Sequence, residues 1–127
     1  MIRRSILALM ALMALGPLTA TAQSAESVLA GCRTIAAAKV VGEQAVFPQT
    51  FPTGECWGAF GTLQRLIVFP GPGGQPLMQV CAPETSTRTQ LIAIYVKYLE
   101  DHPAKRNEKF LDIALAALRE AFPCGRT

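Results

Sequence analysis

The chain has 127 residues, a formal net charge of +3 and a mean hydropathy of +0.29, with half of its residues apolar. Much of that bias lies in the first 22 positions. Met1-Ile2-Arg3-Arg4 is a basic start, residues 5–18 form an almost unbroken apolar run, and Ala20-Thr21-Ala22 is a small-residue cleavage site. This three-part build is that of a secretory signal peptide. Cleavage after Ala22 leaves residues 23–127 as a single domain. With Arg3 and Arg4 gone, ten basic residues face nine acidic ones and the net charge falls to +1. A near-neutral chain without a Lys/Arg cluster is a poor partner for nucleic acid. No later apolar run approaches the ~20 residues needed to span a bilayer.

Cys32, Cys56, Cys81 and Cys124 are the four cysteines, and none belongs to a C-x-x-C pair. Zinc-knuckle and thioredoxin-type chemistry are therefore not indicated. Widely spaced cysteines in an exported chain imply two structural disulfides and an oxidising space such as the periplasm, with three pairings open. Leu29-Ala30-Gly31-Cys32 also has the form of a lipobox, which would make the protein a lipoprotein anchored at Cys32. A polar stretch, Gln23-Ser24-Ala25-Glu26-Ser27, separates it from the apolar run, so a first helix carrying Val28, Leu29 and Cys32 on one face is the preferred reading.

In chain order, Ser24 or Ser27 can cap that helix, which the apolar spacing carries to about Ala38. Residues 42–54 hold Pro48 and Pro52 and read as a connection pinned by Phe47 and Phe51. A second helix is expected over 56–69. Gly58 and Gly61 each cost it about 1 kcal/mol, which suggests a closely packed neighbouring helix; a strand over 66–69 is the alternative. Pro70-Gly71-Pro72-Gly73-Gly74-Gln75-Pro76 reads as an exposed loop that excludes helix and central strand. Thr87 and Gln90 fit a capping box, and Leu91, Ile94, Tyr95, Tyr98 and Leu99 follow at helical spacing. Asp101-His102-Pro103 closes that helix and opens the next, whose stripe is Phe110, Leu111, Ala114, Ala117, Leu118 and Ala121. No strand is convincing. The expected architecture is all-α, a small four-helix domain stapled by two disulfides, with the last helix pair antiparallel.

Catalytic groups are few. His102 is the only histidine and lies in a turn, the carboxylates are scattered, and no nucleophile elbow, zincin motif or P-loop is present. Glu108 and Asp112 lie among Lys105, Arg106 and Lys109 and read as a solvated face. Tyr95 and Tyr98 read as core. No catalytic residue, metal site or cofactor is assigned, and the chain does not read as an enzyme. What remains is a binding surface, for which Phe47, Phe51, Gly73, Gly74 and Gln75, in the two loops tethered by cysteines, are the candidates; a plain linker is the competing reading for each loop.

Leu29-x-x-Cys32, Cys56-x-Gly58, Cys81-x-Pro83, Gln90-Leu91, Tyr98-Leu99-x-x-His102-Pro103, Ala114-Leu115 and Ala121-Phe122-Pro123-Cys124 follow one another in order. In this the chain resembles the Rap/Tai family of type VI secretion immunity proteins over about residues 28–124. The resemblance implies a periplasmic all-helical protein, often a homodimer, that binds and blocks a peptidoglycan-cleaving amidase effector and is not itself an enzyme. A small periplasmic chaperone of the HdeA type, or a general binding module without an amidase partner, is the alternative of another class.

Helix-pair geometry bears on the cysteines. In an antiparallel hairpin the start of one helix lies beside the end of the next, which places Cys81 near Cys124 and leaves Cys32 for Cys56. For the export reading, intact mass and N-terminal sequencing of fractionated protein are expected to give a chain starting at Gln23. A start at Cys32 carrying a diacylglycerol mass would establish the lipoprotein instead.

Overall fold

The first helix begins where a serine can hold its free N–H groups. In the computed structural model, which describes Gly16 and residues 22–42 and 44–125, Ser24 caps helix α1 (Ala25–Ala36) by accepting from the Ser27 N–H at 3.2 Å. The leader expected over residues 1–22 lies outside the described residues apart from Gly16 and Ala22. Val28, Leu29, Cys32 and Ile35 form the buried stripe of α1. Ahead of the helix, the Gln23 carbonyl accepts from the Phe110 N–H, and the Ala25 N–H donates to the Glu108 carbonyl, both at 2.8 Å. These two bonds fasten the start of α1 to the segment that enters the last helix.

The connection after α1 departs from expectation. Lys39–Val41 (β1) and Gln44–Val46 (β2) pair antiparallel, with Lys39 opposite Val46 and Val41 opposite Gln44. Val40, Val41 and Val46 suit extended backbone, and Gly42 turns the chain at a φ of 66°. Three residues per strand are too few to leave a readable alternation, so this hairpin was not anticipated.

Helix α2 (Phe51–Leu66) starts five residues before the expected boundary at 56 and stops before the expected 69. Thr50 and Thr53 cap one another reciprocally, and the Thr53 hydroxyl also donates to the Pro48 carbonyl at 2.6 Å. Pro52 falls in the first turn, where a missing N–H leaves no bond unmade. Pro52 therefore opens α2 instead of breaking a helix, and the expected connection ends at Thr50 rather than at residue 54.

The glycines of α2 do not mark a close helix–helix contact, contrary to expectation. A Cβ on Gly58 would meet nothing within 4 Å, and one on Gly61 would meet the Arg88 guanidinium at 2.9 Å, a side chain rather than a helix. The close helix–helix approach occurs at Gly31 of α1. A Cβ there would lie 1.9 Å from the Pro52 carbonyl oxygen.

Beyond α2 the chain folds back on itself. The Leu77 N–H donates to the Phe69 carbonyl and the Gly71 N–H to the Gln75 carbonyl, both at 2.8 Å. Between them residues 72–74 make a tight turn in which Gly73 and Gly74 take positive φ, in keeping with the expected exposed loop. Helix α3 (Arg88–Asp101) carries the anticipated box, with the Gln90 N–H on the Thr87 hydroxyl and the Gln90 side chain on the Thr87 N–H. His102 ends α3, its ring stacked on Tyr98 and its Nδ1 2.8 Å from the Tyr98 carbonyl. Pro103 opens a 3-10 segment (Pro103–Asn107), not the next α-helix; α4 (Phe110–Ala121) follows it.

α1 is the central helix, packing on α2, α3 and α4. Phe60, Tyr95 and Phe110 meet beside it with ring centroids 5.3 to 5.8 Å apart, drawing α2, α3 and α4 into one aromatic cluster. The buried Tyr95 hydroxyl donates to the Ala25 carbonyl at 2.8 Å. Burial first, and the Glu26 charge second, push this phenol's pKa up, so it stays a donor. Cys32 pairs with Cys56 and Cys81 with Cys124, at Cα separations of 5.4 and 5.0 Å, as helix geometry predicted. A bonded Cys32, buried within α1, has no thiol to receive a lipid.

Two glycine substitutions are expected to move stability in opposite directions. Gly58→Ala should raise it by about 0.5–1 kcal/mol, since an open helix-interior site gains propensity without a clash. Gly31→Ala should lower it by about 3 kcal/mol or more by forcing α1 off the start of α2. Replacing the Cys81–Cys124 pair by alanines should cost about 2–4 kcal/mol. Denaturant melts of the three variants, with hydrogen exchange at the amides of Leu77 and position 81 for the last, check these values.

Candidate functional site

The residues singled out in the sequence fall at the two ends of α2. Sixteen residues of helix separate them by about 24 Å at 1.5 Å per residue, so the structure does not bring them into one patch.

At the N-terminal end, Phe47 leaves the hairpin half-buried and packs its ring on Trp57, centroids 5.2 Å apart. Phe51 behaves differently. As the first residue of α2 it points away from the core and is 81% exposed, so it does not pin the connection as expected. With Val40, Val41 and Val46 it leaves large apolar side chains on the surface around the hairpin. Between the hairpin and the start of α3 lies an open cleft of about 420 Å³, bordered by Gln44, Phe47, Gln49, Trp57, Thr87 and Arg88 among others. Sequence reasoning placed Trp57 and Arg88 only as helix residues. Nothing in their spacing shows that the hairpin folds over α2 to meet them.

At the other end, residues 69–77 form a short, self-bonded projection. Gly73 and Gly74 hold φ values of 71° and 76°, which only glycine adopts without strain, and so shape its tip. Pro72, Gly73, Gly74 and Gln75 are all exposed. The Gln75 side-chain oxygen lies 3.9 Å from Cys81 Sγ, a packing contact, because a disulfide sulfur has no proton to donate. The projection is held from below: Arg119 Nε donates to the Met78 carbonyl at 2.9 Å, and the Cys81 N–H donates to the Phe122 carbonyl at 3.0 Å. Val68, Phe69 and Leu77 are exposed at its base.

A third surface was not anticipated. Along α3 and α4, Ile94, Tyr98, Ala117 and Ala121 border an open groove of about 420 Å³, rimmed by Lys97, Asp101 and Glu120. Its small residues occupy helix faces where alanine usually signals only close packing.

His102 Nδ1 is engaged by its own helix, and among the described residues no three His, Cys, Asp or Glu side chains are placed to hold a metal ion. No helix of the described residues is long and apolar enough to cross a membrane. The arrangement suits recognition by surface. Comparison with curated proteins and with solved structures finds no match to this chain. Residues 73–124, however, match the family model of the Rap1a immunity proteins. The matched stretch runs from the tip of the projection through Cys81, α3 and α4 to Cys124, and over it the chain is similar to the Rap1a immunity proteins.

Proposed function

We propose that this protein is an effector immunity protein of the Rap/Tai type, exported to the periplasm, where it neutralises a peptidoglycan amidase by occupying its substrate groove. The observation that carries this reading is the match of residues 73–124 to the Rap1a immunity proteins. An immunity protein acts by binding, and the chain offers exposed surface rather than converging catalytic groups. The two disulfides fit an oxidising compartment. The 69–77 projection supports the blocking role. It protrudes, is closed by its own backbone bonds, and is anchored to α4 through Arg119 and the Cys81–Cys124 bond. A loop ordered before binding loses little entropy when it enters a groove.

Co-expression with a peptidoglycan amidase effector, sought first among the neighbouring genes, is the direct test: the protein is expected to bind that enzyme and abolish its activity. Replacing Pro72-Gly73-Gly74-Gln75 by two glycines should weaken inhibition at least about tenfold while the melting temperature stays nearly unchanged, because this exposed tip contributes nothing to the core. Phe47→Ala and Phe51→Ala, measured separately, report on the other end of α2. Unchanged inhibition in the loop variant would move the blocking surface away from the projection.

A further inference from the structure

Arg88 is placed against the local rules of helix chemistry. It is the first residue of α3, where the positive end of the helix dipole disfavours a cation, and the first turn carries no acidic residue to offset it. Among the described residues no carboxylate lies within ion-pair distance of its guanidinium. Yet the group is held in place. It lies over the Trp57 ring, 4.4 Å from the centroid, and Gly61 beneath leaves the space that it fills. Nε donates to the Gln64 side-chain oxygen and Nη1 to the Trp57 carbonyl, each at 3.4 Å. A guanidinium has five N–H donors, so three remain without an acceptor among the described residues, in a side chain that borders the hairpin cleft.

We infer that this cleft is a recognition site for a carboxylate side chain on a loop of the partner protein, with Arg88 as the pre-positioned cation and Phe47 and Trp57 as the apolar floor. An Arg–aromatic centre beside a hairpin whose Val40, Val41 and Val46 are exposed has the make-up of a protein-binding hot spot rather than of a small-molecule pocket. Polar Gln44, Gln49 and Thr87 at the rim can take hydrogen bonds from the backbone that carries the acid. The carboxylate supplies the charge that α3 lacks and accepts the spare N–H groups in a forked pair. The identity of the partner, an amidase effector, rests on the proposed function; the chemistry of the cleft does not.

The test uses Arg88→Gln and Arg88→Lys. Gln retains a polar helix-forming side chain and removes the unfavourable charge from the helix start, so circular dichroism and melting are expected to stay close to the parent protein. Against a peptidoglycan amidase effector that the parent protein binds, Arg88→Gln should weaken binding on the order of 10–100-fold, the cost of a lost charge-assisted pair. Arg88→Lys, which keeps the charge but not the fork, should fall between the two. Full affinity in a folded Arg88→Gln protein would overturn the proposal. If the parent protein binds no such amidase, the immunity reading fails separately, and peptides decide the cleft. An acetylated, amidated Gly-Asp-Glu-Gly peptide should then shift the Trp57 indole and Arg88 Nε–H resonances, whereas its Asn-Gln counterpart should not. Equal shifts, or none, would overturn the proposal, as would selective binding there of peptidoglycan stem peptides in place of protein.

Discussion

Helices α1 and α2 approach to backbone contact at Gly31 and Pro52, and the rest of the molecule is arranged around that approach. A side chain at position 31 would push α2 outward, and Cys32, one residue on, could not reach Cys56 at its 5.4 Å Cα separation. The same closeness lets Phe60 of α2 meet Tyr95 and Phe110, and it places Trp57 beside the base of the hairpin. One missing methyl group thus fixes the crossing of two helices, the geometry of a disulfide and the floor of a cleft.

The C-terminal half was legible because each signal there had a single physical meaning. Thr87 followed by Gln90 is a capping box, the stripes through Leu91–Leu99 and Phe110–Ala121 have helical period, and a short connection makes the pair antiparallel. The cysteine pairing followed from that geometry. The N-terminal half was harder because its signals were ambiguous. Pro52 stops a helix interior yet starts a helix equally well, and a hairpin with three-residue strands leaves no periodicity. Gly31 read as part of a lipobox when its role was to let a carbonyl close by, while Gly58, which invited a packing explanation, faces open space. Arg88 read as the interior of a capping box. That no described carboxylate faces it becomes visible only when the elements around it are assembled.

This division bears on how the surfaces relate. The stretch that matches the Rap1a immunity proteins holds the tip and outgoing arm of the projection and the α3–α4 pair, while Phe47 and Trp57 come from the unmatched part of the chain. The cleft therefore straddles both, since Thr87 and Arg88 belong to the matched stretch and the hairpin wall does not. A surface of that kind can change its hairpin wall without touching the helix pair, and insertions in hairpins are among the changes a fold absorbs most easily.

The order of the cysteines along the chain has a consequence for how the protein matures. The bonds join first to second and third to fourth, at separations of 24 and 43 residues, so neither loop encloses an end of the other. A polypeptide oxidised from its N-terminus onward meets each native partner as the next free thiol to arrive. Sequential oxidation then yields both correct bonds directly, without the slow reshuffling by thiolate attack that interleaved pairings require. The covalent framework can be complete as soon as Cys124 emerges, leaving the helices to pack within loops that are already closed.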